Sequence, residues 1–144
     1  MFLRIEHVSK HYGPVAALDD VTLDIARGEF FALLGGSGSG KTTLLRCLAG
    51  LAQPESGRIE LDGADMAGVP PHLRPVNTMF QSYALFPHMD VAANIGYGLR
   101  MEGAAKRLIA DHVAEMLALV RMSGFERRRP HELSGGQRAR VALA

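Results

Sequence analysis

The sequence has 144 residues, with 16 lysines and arginines against 15 aspartates and glutamates. A formal net charge of +1 excludes the broad basic surface by which proteins grip nucleic acid, so we expect no nucleic-acid partner. A hydrophobic content of 47% excludes intrinsic disorder, and the single cysteine excludes an internal disulfide. The sequence contains no apolar run of the roughly 20 residues that span a bilayer.

The first third of the chain predicts strands that lead into a helix. Apolar spacing predicts one strand at residues 2–8 and another at residues 21–25. The unbroken apolar run at residues 30–34 is typical of a strand that is buried on both faces of a sheet.

A helix is predicted for residues 40–49, and Gly50 is a suitable stop for it. Its apolar face consists of Leu44, Leu48 and Leu51. Two further strands are predicted at residues 57–61 and 76–80. The segment between them contains three prolines and is predicted to be largely irregular.

The remainder of the chain predicts helices. Asp90 is a suitable N-cap for a helix that begins at Val91. A longer helix is predicted at residues 104–122, ended by Gly124. Its apolar face consists of Ile109, Val113, Met116, Leu117 and Val120.

Residues 35–42 fit the phosphate-loop pattern G-x-x-x-x-G-K-[ST], between a predicted buried strand and a predicted helix. A loop that wraps a polyphosphate must point backbone N–H groups inward, and glycine permits this. Lys41 offers a positive charge to the β- and γ-phosphates, and Thr42 offers a hydroxyl to Mg²⁺. The pattern predicts a purine nucleotide with Mg²⁺, bound by Gly35, Gly36, Ser37, Gly38, Ser39, Gly40, Lys41, Thr42 and Thr43.

A second glycine cluster, Leu133-Ser134-Gly135-Gly136-Gln137, precedes a run of good helix formers. Glycines at a helix start leave free N–H groups at the positive end of the helix dipole, which is a second possible anion site. An ordinary capped helix explains these residues equally well. The phosphate loop by itself also leaves kinases and GTPases open.

The phosphate loop, Gln81 after an apolar strand, and the LSGGQ segment together resemble the ATPase subunit of ATP-binding-cassette (ABC) transporters along essentially the whole chain. The resemblance implies an α/β P-loop fold with a mixed sheet and an inserted helical subdomain. The chain would then be a partial nucleotide-binding domain, with its core at about residues 1–85 and its helical subdomain at about residues 86–144.

The resemblance also implies roles for individual residues. Tyr12 would stack on the adenine of ATP, and Lys41 and Gln81 would act in catalysis. Thr42 and Gln81 would contact Mg²⁺, and Gln81 would also contact the membrane partner. Residues 133–137 would contact the γ-phosphate of ATP held by a second copy, in a head-to-tail dimer.

Residues 70–89 are similar to the ATPases of bacterial spermidine/putrescine importers, although sugar, iron and sulfate importers share part of this stretch. The implied partners are membrane permease subunits and, indirectly, a periplasmic solute-binding protein. The implied location is peripheral, on the cytoplasmic side of the inner membrane. Residues 86–88 would either dock on a membrane subunit or pack within the helical part. A cassette ATPase of DNA repair or ribosomes is the alternative, which the YALFPHM stretch disfavours.

The family's Walker B strand, with an aspartate for Mg²⁺ and a catalytic glutamate, is expected after Ala144. We therefore expect these residues to belong to a longer protein that hydrolyses ATP, and to be inactive alone. The alternative is a module that binds nucleotide without catalysis. An unpaired run at residues 30–34 would expose an apolar sheet edge.

Overall fold

The computed structural model describes residues 1–80 and 82–144. The chain divides into two compact units, Met1–Thr78 and Met79–Ala144. Each unit has its own apolar core. Gln81 lies outside the described residues, so its predicted contacts remain predictions.

The first unit is built on an antiparallel sheet. Its strands are β1 Leu3–Tyr12, β2 Val15–Ile25, β3 Ser56–Leu61 and β4 Ala64–Asp65. Among the described residues their order is β2-β1-β3-β4. The strands predicted at residues 2–8, 21–25 and 57–61 are confirmed. β1 and β2 extend further than predicted because they form a hairpin whose pairing continues to Tyr12 opposite Val15.

The prediction of a buried strand at residues 30–34 is wrong. Phe30 is 96% exposed and Leu34 is 88% exposed. A strand needs a neighbour for its backbone hydrogen bonds, and the described strands pair only with one another. The segment at residues 76–80 also lies outside the sheet, for the same reason. The described sheet therefore contains only antiparallel pairs, and not the mixed pairing that we expected.

Helix α1, Lys41–Leu48, packs Leu44 and Cys47 against the sheet. The Cys47 side chain is fully buried in the core, and this burial raises the pKa of its thiol. Gly50 ends the helix as predicted, with φ 75°. The predicted apolar face is wrong at Leu51, which is 41% exposed because the helix stops before it. The core is completed by Ile5, Val8, Leu18, Ile59, Leu61 and Met66.

The second unit is helical. Its helices are α2 Val91–Ile95, α3 Tyr97–Met101, α4 Lys106–Leu119 and α5 Gly135–Leu143, and the chain adds short 3₁₀ turns at Pro71–Leu73 and Pro130–Glu132. Asp90 caps α2 as predicted, because its carboxylate accepts from the Ala93 N–H at 2.7 Å. In the part of the chain that the structure describes, no helix is long and apolar enough to cross a membrane. The buried core consists of Val91, Val113, Leu117, Met122, Leu133 and Val141.

Helix α4 confirms the predicted apolar stripe, since Val113 and Leu117 are buried in the core. It ends earlier than predicted, before Gly124. Arg121 adopts a left-handed φ of 56°, and the Met122 N–H donates to the Leu117 carbonyl at 2.7 Å. Glycine usually adopts this left-handed conformation just after the last turn of a helix. Here Arg121 adopts it, and α4 therefore ends before Gly124.

Candidate functional site

The glycine loop at residues 35–40 joins the apolar run at residues 30–34 to α1. Gly38 and Gly40 have φ values of 80° and 86°, which side chains rarely adopt. A Cβ at Gly40 would also lie 2.3 Å from the Ala17 carbonyl oxygen in β2. The loop therefore packs against β2 at Gly40, where the positive φ and the nearby Ala17 carbonyl both require glycine.

The Lys41 ammonium lies inside this loop. It donates to the Gly35 carbonyl at 2.7 Å, to the Gly36 carbonyl at 2.6 Å and to the Ser39 hydroxyl at 3.0 Å. An ammonium has three N–H donors, so these contacts use all of them. The sequence-predicted residues Gly35, Gly36, Ser39 and Lys41 are thus brought together around one positive charge. An anion that enters the loop has to replace carbonyl oxygens as the acceptors.

The other predicted residues of the loop are open to solvent or partly so. Ser37 and Thr42 are exposed, and Thr43 is half-buried in the first turn of α1. A Cβ at Gly36 would meet no atom within 4 Å, and Gly36 is not in the left-handed region. The internal structure of the chain therefore does not demand glycine at this position, whereas close approach of a ligand to the backbone would.

Tyr12 lies at the end of β1, and β2 links it to the loop. Tyr12 pairs with Val15, while Ala17, two residues further along β2, contacts the loop at Gly40. The Tyr12 ring is 49% exposed, with the Lys10 ammonium 5.6 Å from the ring centroid. A half-exposed aromatic ring is suited to stacking on a flat ligand group.

The second glycine cluster starts α5 as a reciprocal cap. The Gln137 N–H donates to the Ser134 hydroxyl at 3.3 Å, and the Ser134 N–H donates to the Gln137 side-chain carbonyl at 2.8 Å. Gly135 and Gly136 are exposed, and a Cβ at either would meet no atom within 4 Å. Amides in the first turn lack intrahelical acceptors, so both can donate to a group from outside. Leu133 is buried and anchors the segment in the core.

Residues 86–88 pack largely within the second unit. The Phe86 ring lies 4.7 Å from the Tyr97 ring, centroid to centroid, and 6.0 Å from the His88 ring. The Phe86 N–H donates to the Asn94 side-chain carbonyl at 2.8 Å. Of the two alternatives left by the sequence, these contacts support internal packing for Phe86, which is still 38% exposed.

Sequence reasoning missed Arg74, whose residue surface is only 7% exposed. Its guanidinium donates to the Cys47 and Leu48 carbonyls at 2.8 and 2.9 Å, at the end of α1. It also donates at 2.9 Å to each of the Met66 and Val69 carbonyls. A cation at a helix C-terminus is favourable, and here it ties α1 to the loop after β4. All its acceptors are backbone groups, which leave no pattern in a sequence.

Comparison with known proteins gives one family. Residues 18–144 match the ABC transporter family. The chain is 59% identical over 142 residues to the putrescine transport ATP-binding protein PotG of Escherichia coli, covering 99% of this chain and 38% of that protein. It is 56% identical over 142 residues to the spermidine/putrescine import ATP-binding protein PotA of Rubrobacter xylanophilus, with the same two coverages. The chain thus spans well under half the length of these curated relatives.

A solved structure also matches. It is a dimeric ATP-binding cassette in a post-hydrolysis state, bound to ADP and Pi. The match has a TM-score of 0.83 at 26% identity and covers 98% of this chain and 67% of the other. The α/β P-loop fold expected from the sequence is therefore confirmed.

Proposed function

The chain belongs to the ABC transporter family, and from that premise we propose that residues 35–42 bind the phosphates of MgATP. The observation that carries this proposal is the Lys41 ammonium, held by three acceptors inside a glycine loop at the start of α1. The positive end of the α1 dipole faces the same loop. Charge, dipole and open backbone thus converge on one position suited to a polyanion.

The other residues of the loop then have distinct roles. Backbone amides of residues 36–41 donate to phosphate oxygens, and Gly36 leaves the space for their approach. The exposed Thr42 hydroxyl and Gln81 hold Mg²⁺, which neutralises phosphate charge when bound. Tyr12 stacks on the adenine ring. Lys41 and Gln81 serve catalysis in the intact protein by stabilising charge and orienting groups.

Residues 133–137 complete a site only with a second copy, in our proposal. Ser134, Gly135 and Gly136 present a hydroxyl and open amides, while the guanidinium of the adjacent Arg138 donates to the Leu133 carbonyl at 2.9 Å. A head-to-tail dimer would place this segment against the γ-phosphate of the partner's ATP. The matched solved structure is itself dimeric and holds ADP and Pi, which supports this arrangement.

The whole protein, in this proposal, is the ATPase of an ABC importer of polyamines. PotG and PotA, named for putrescine transport and spermidine/putrescine import, support this substrate class. The chain contributes a partial nucleotide-binding domain, with a core at about residues 1–85 and a helical subdomain at about 86–144. Its partners would be permease subunits and, indirectly, a periplasmic solute-binding protein, at the cytoplasmic face of the inner membrane. Import of a sugar, iron or sulfate is the alternative.

Isothermal titration calorimetry with MgATP tests the nucleotide site. We expect Lys41→Ala to weaken binding by about 30-fold or more, ~2 kcal/mol, because a charge-assisted contact to phosphate is lost. Lys106→Ala is the matched control, since Lys106 is an exposed lysine in the other unit. Equal binding by wild type and Lys41→Ala would refute the site. Uptake of labelled spermidine and putrescine by cells with and without the complete gene tests the substrate class.

A further inference from the structure

Glu55 lies just before β3 and forms hydrogen bonds with the end of β1, next to Tyr12. Its carboxylate accepts from the His11 backbone N–H at 3.2 Å and lies 2.8 Å from His11 Nδ1. The Lys10 ammonium donates to it at 3.4 Å. The Glu55 N–H in turn donates to the Ser9 carbonyl at 2.9 Å. One residue just before β3 therefore holds the three residues that precede Tyr12.

The end of β1 needs such a support, because its pairing with β2 is irregular there. Register shifts occur between Val8 and Lys10 and again between Lys10 and His11. Pairing with β3 also shifts between Glu6 and Ser9. Two irregular ladders leave the orientation of the strand end weakly specified by backbone pairing alone.

Lys10 connects this support to the Tyr12 ring. Its side chain is only 19% exposed, and its ammonium lies 5.6 Å from the ring centroid, within reach of a cation–π contact. The same ammonium is held by Glu55. The carboxylate thus fixes both the backbone that carries the ring and the cation that lies over it.

We propose that Glu55 is a positioning residue for the base-stacking ring of Tyr12, setting the affinity for the nucleobase rather than for the phosphates. This rests on the proposed role of Tyr12 in stacking on adenine. A ring held in its binding orientation loses less conformational freedom when a flat ligand binds, so affinity rises without a new contact to the ligand. Hydrogen bonding from His11 lowers the pKa of Glu55, so the carboxylate is ionised near neutral pH.

The test compares MgATP with magnesium tripolyphosphate, which has the same phosphate chain and no base. Calorimetric affinities are measured for the wild-type chain, Glu55→Gln, Tyr12→Ala and the double variant. Asp24→Asn is the matched control, because Asp24 is similarly exposed and paired with a cation, Arg4. It lies near the other end of β1, about 25 Å from Tyr12 along the strand.

We expect Glu55→Gln to weaken MgATP binding about fivefold and to leave tripolyphosphate binding unchanged. The double variant should bind MgATP as Tyr12→Ala does, since both changes act through one ring. Circular dichroism melting of each variant separates this effect from unfolding. Equal weakening of both ligands, or no weakening of either, would overturn the positioning role. If Tyr12→Ala alone leaves MgATP binding unchanged, the stacking role itself is wrong, and the inference falls with it.

Discussion

The two glycine clusters differ in how much of their geometry is fixed from within the chain. The loop at residues 35–40 holds its own cation, and Gly40 is required there by its φ of 86° and by contact with Ala17. The segment at residues 133–137 has a capping box, but Gly135 and Gly136 meet no internal constraint.

This difference indicates which cluster can bind an anion alone. Both clusters combine open amides with the positive end of a helix dipole, but in the first an ammonium lies inside the loop, whereas at the second the Arg138 guanidinium donates to the Leu133 carbonyl at 2.9 Å. α1 is also supported at its far end by Arg74, while α5 has its capping box at the start. We therefore propose that the first cluster binds an anion by itself and that the second forms half of a site.

The largest predicted effect is a loss of stability in Arg74→Met, because Arg74 binds the carbonyls at the C-terminal end of α1. The variant removes the four hydrogen bonds that the buried guanidinium donates, and the Cys47 and Met66 carbonyls then keep only their backbone donors, the Gly50 and Val69 N–H groups. We expect the free energy of unfolding to fall by about 3 kcal/mol, measured by urea denaturation followed by circular dichroism. Arg58→Met is the control: Arg58 is a half-exposed partner in surface ion pairs and should change stability by less than about 1 kcal/mol. Similar losses for both arginines would mean that the buried hydrogen bonds of Arg74 stabilise the fold no more than a surface ion pair does.

A pair of glycine variants probes the first cluster itself. Gly40→Ala should cost about 2 kcal/mol, because the methyl group would overlap the Ala17 carbonyl and φ is unfavourable. Gly36→Ala has room within the chain, so its stability should match wild type. It should nevertheless weaken MgATP binding, since its methyl group would stand in the path of the phosphates. Calorimetry and thermal melting of both variants give the comparison, and a stable Gly36→Ala with unchanged MgATP affinity would contradict it.

The smallest effects should come from the second cluster. Ser134→Ala removes the α5 cap and should cost about 1 kcal/mol of stability. Gly136→Ala should leave stability unchanged, because its Cβ meets no internal atom. At protein concentrations where the chain is monomeric, both variants should bind MgATP like wild type. A clear loss of MgATP affinity in monomeric Gly136→Ala would mean that the second cluster acts within one copy.

The sequence predicted the local structure of both clusters because their signals are short-range. A helix start, a cap and a glycine loop depend on neighbouring residues, and Ser134 and Gln137 pair as their spacing indicates. The face of α4 follows from helical periodicity in the same way.

The failures of prediction involve partners that are distant in sequence. The run at residues 30–34 has strand composition, but a strand forms only when another one pairs with it. The hydrogen bonds of Arg74 and Glu55 reach across 26 or more residues, to Cys47 and Leu48 from Arg74 and to His11 from Glu55. Arg121 ends α4 in a conformation usually left to glycine, so composition points to the wrong stop.

The most direct test of the account is a titration of the chain with magnesium tripolyphosphate, followed by amide nuclear magnetic resonance. If the first cluster holds the phosphates, the amide signals of residues 36–42 should shift most. Those of Gly135 and Gly136 should stay in place while the chain is monomeric. Unmoved signals at residues 36–42, or larger shifts at Gly135 and Gly136, would contradict it.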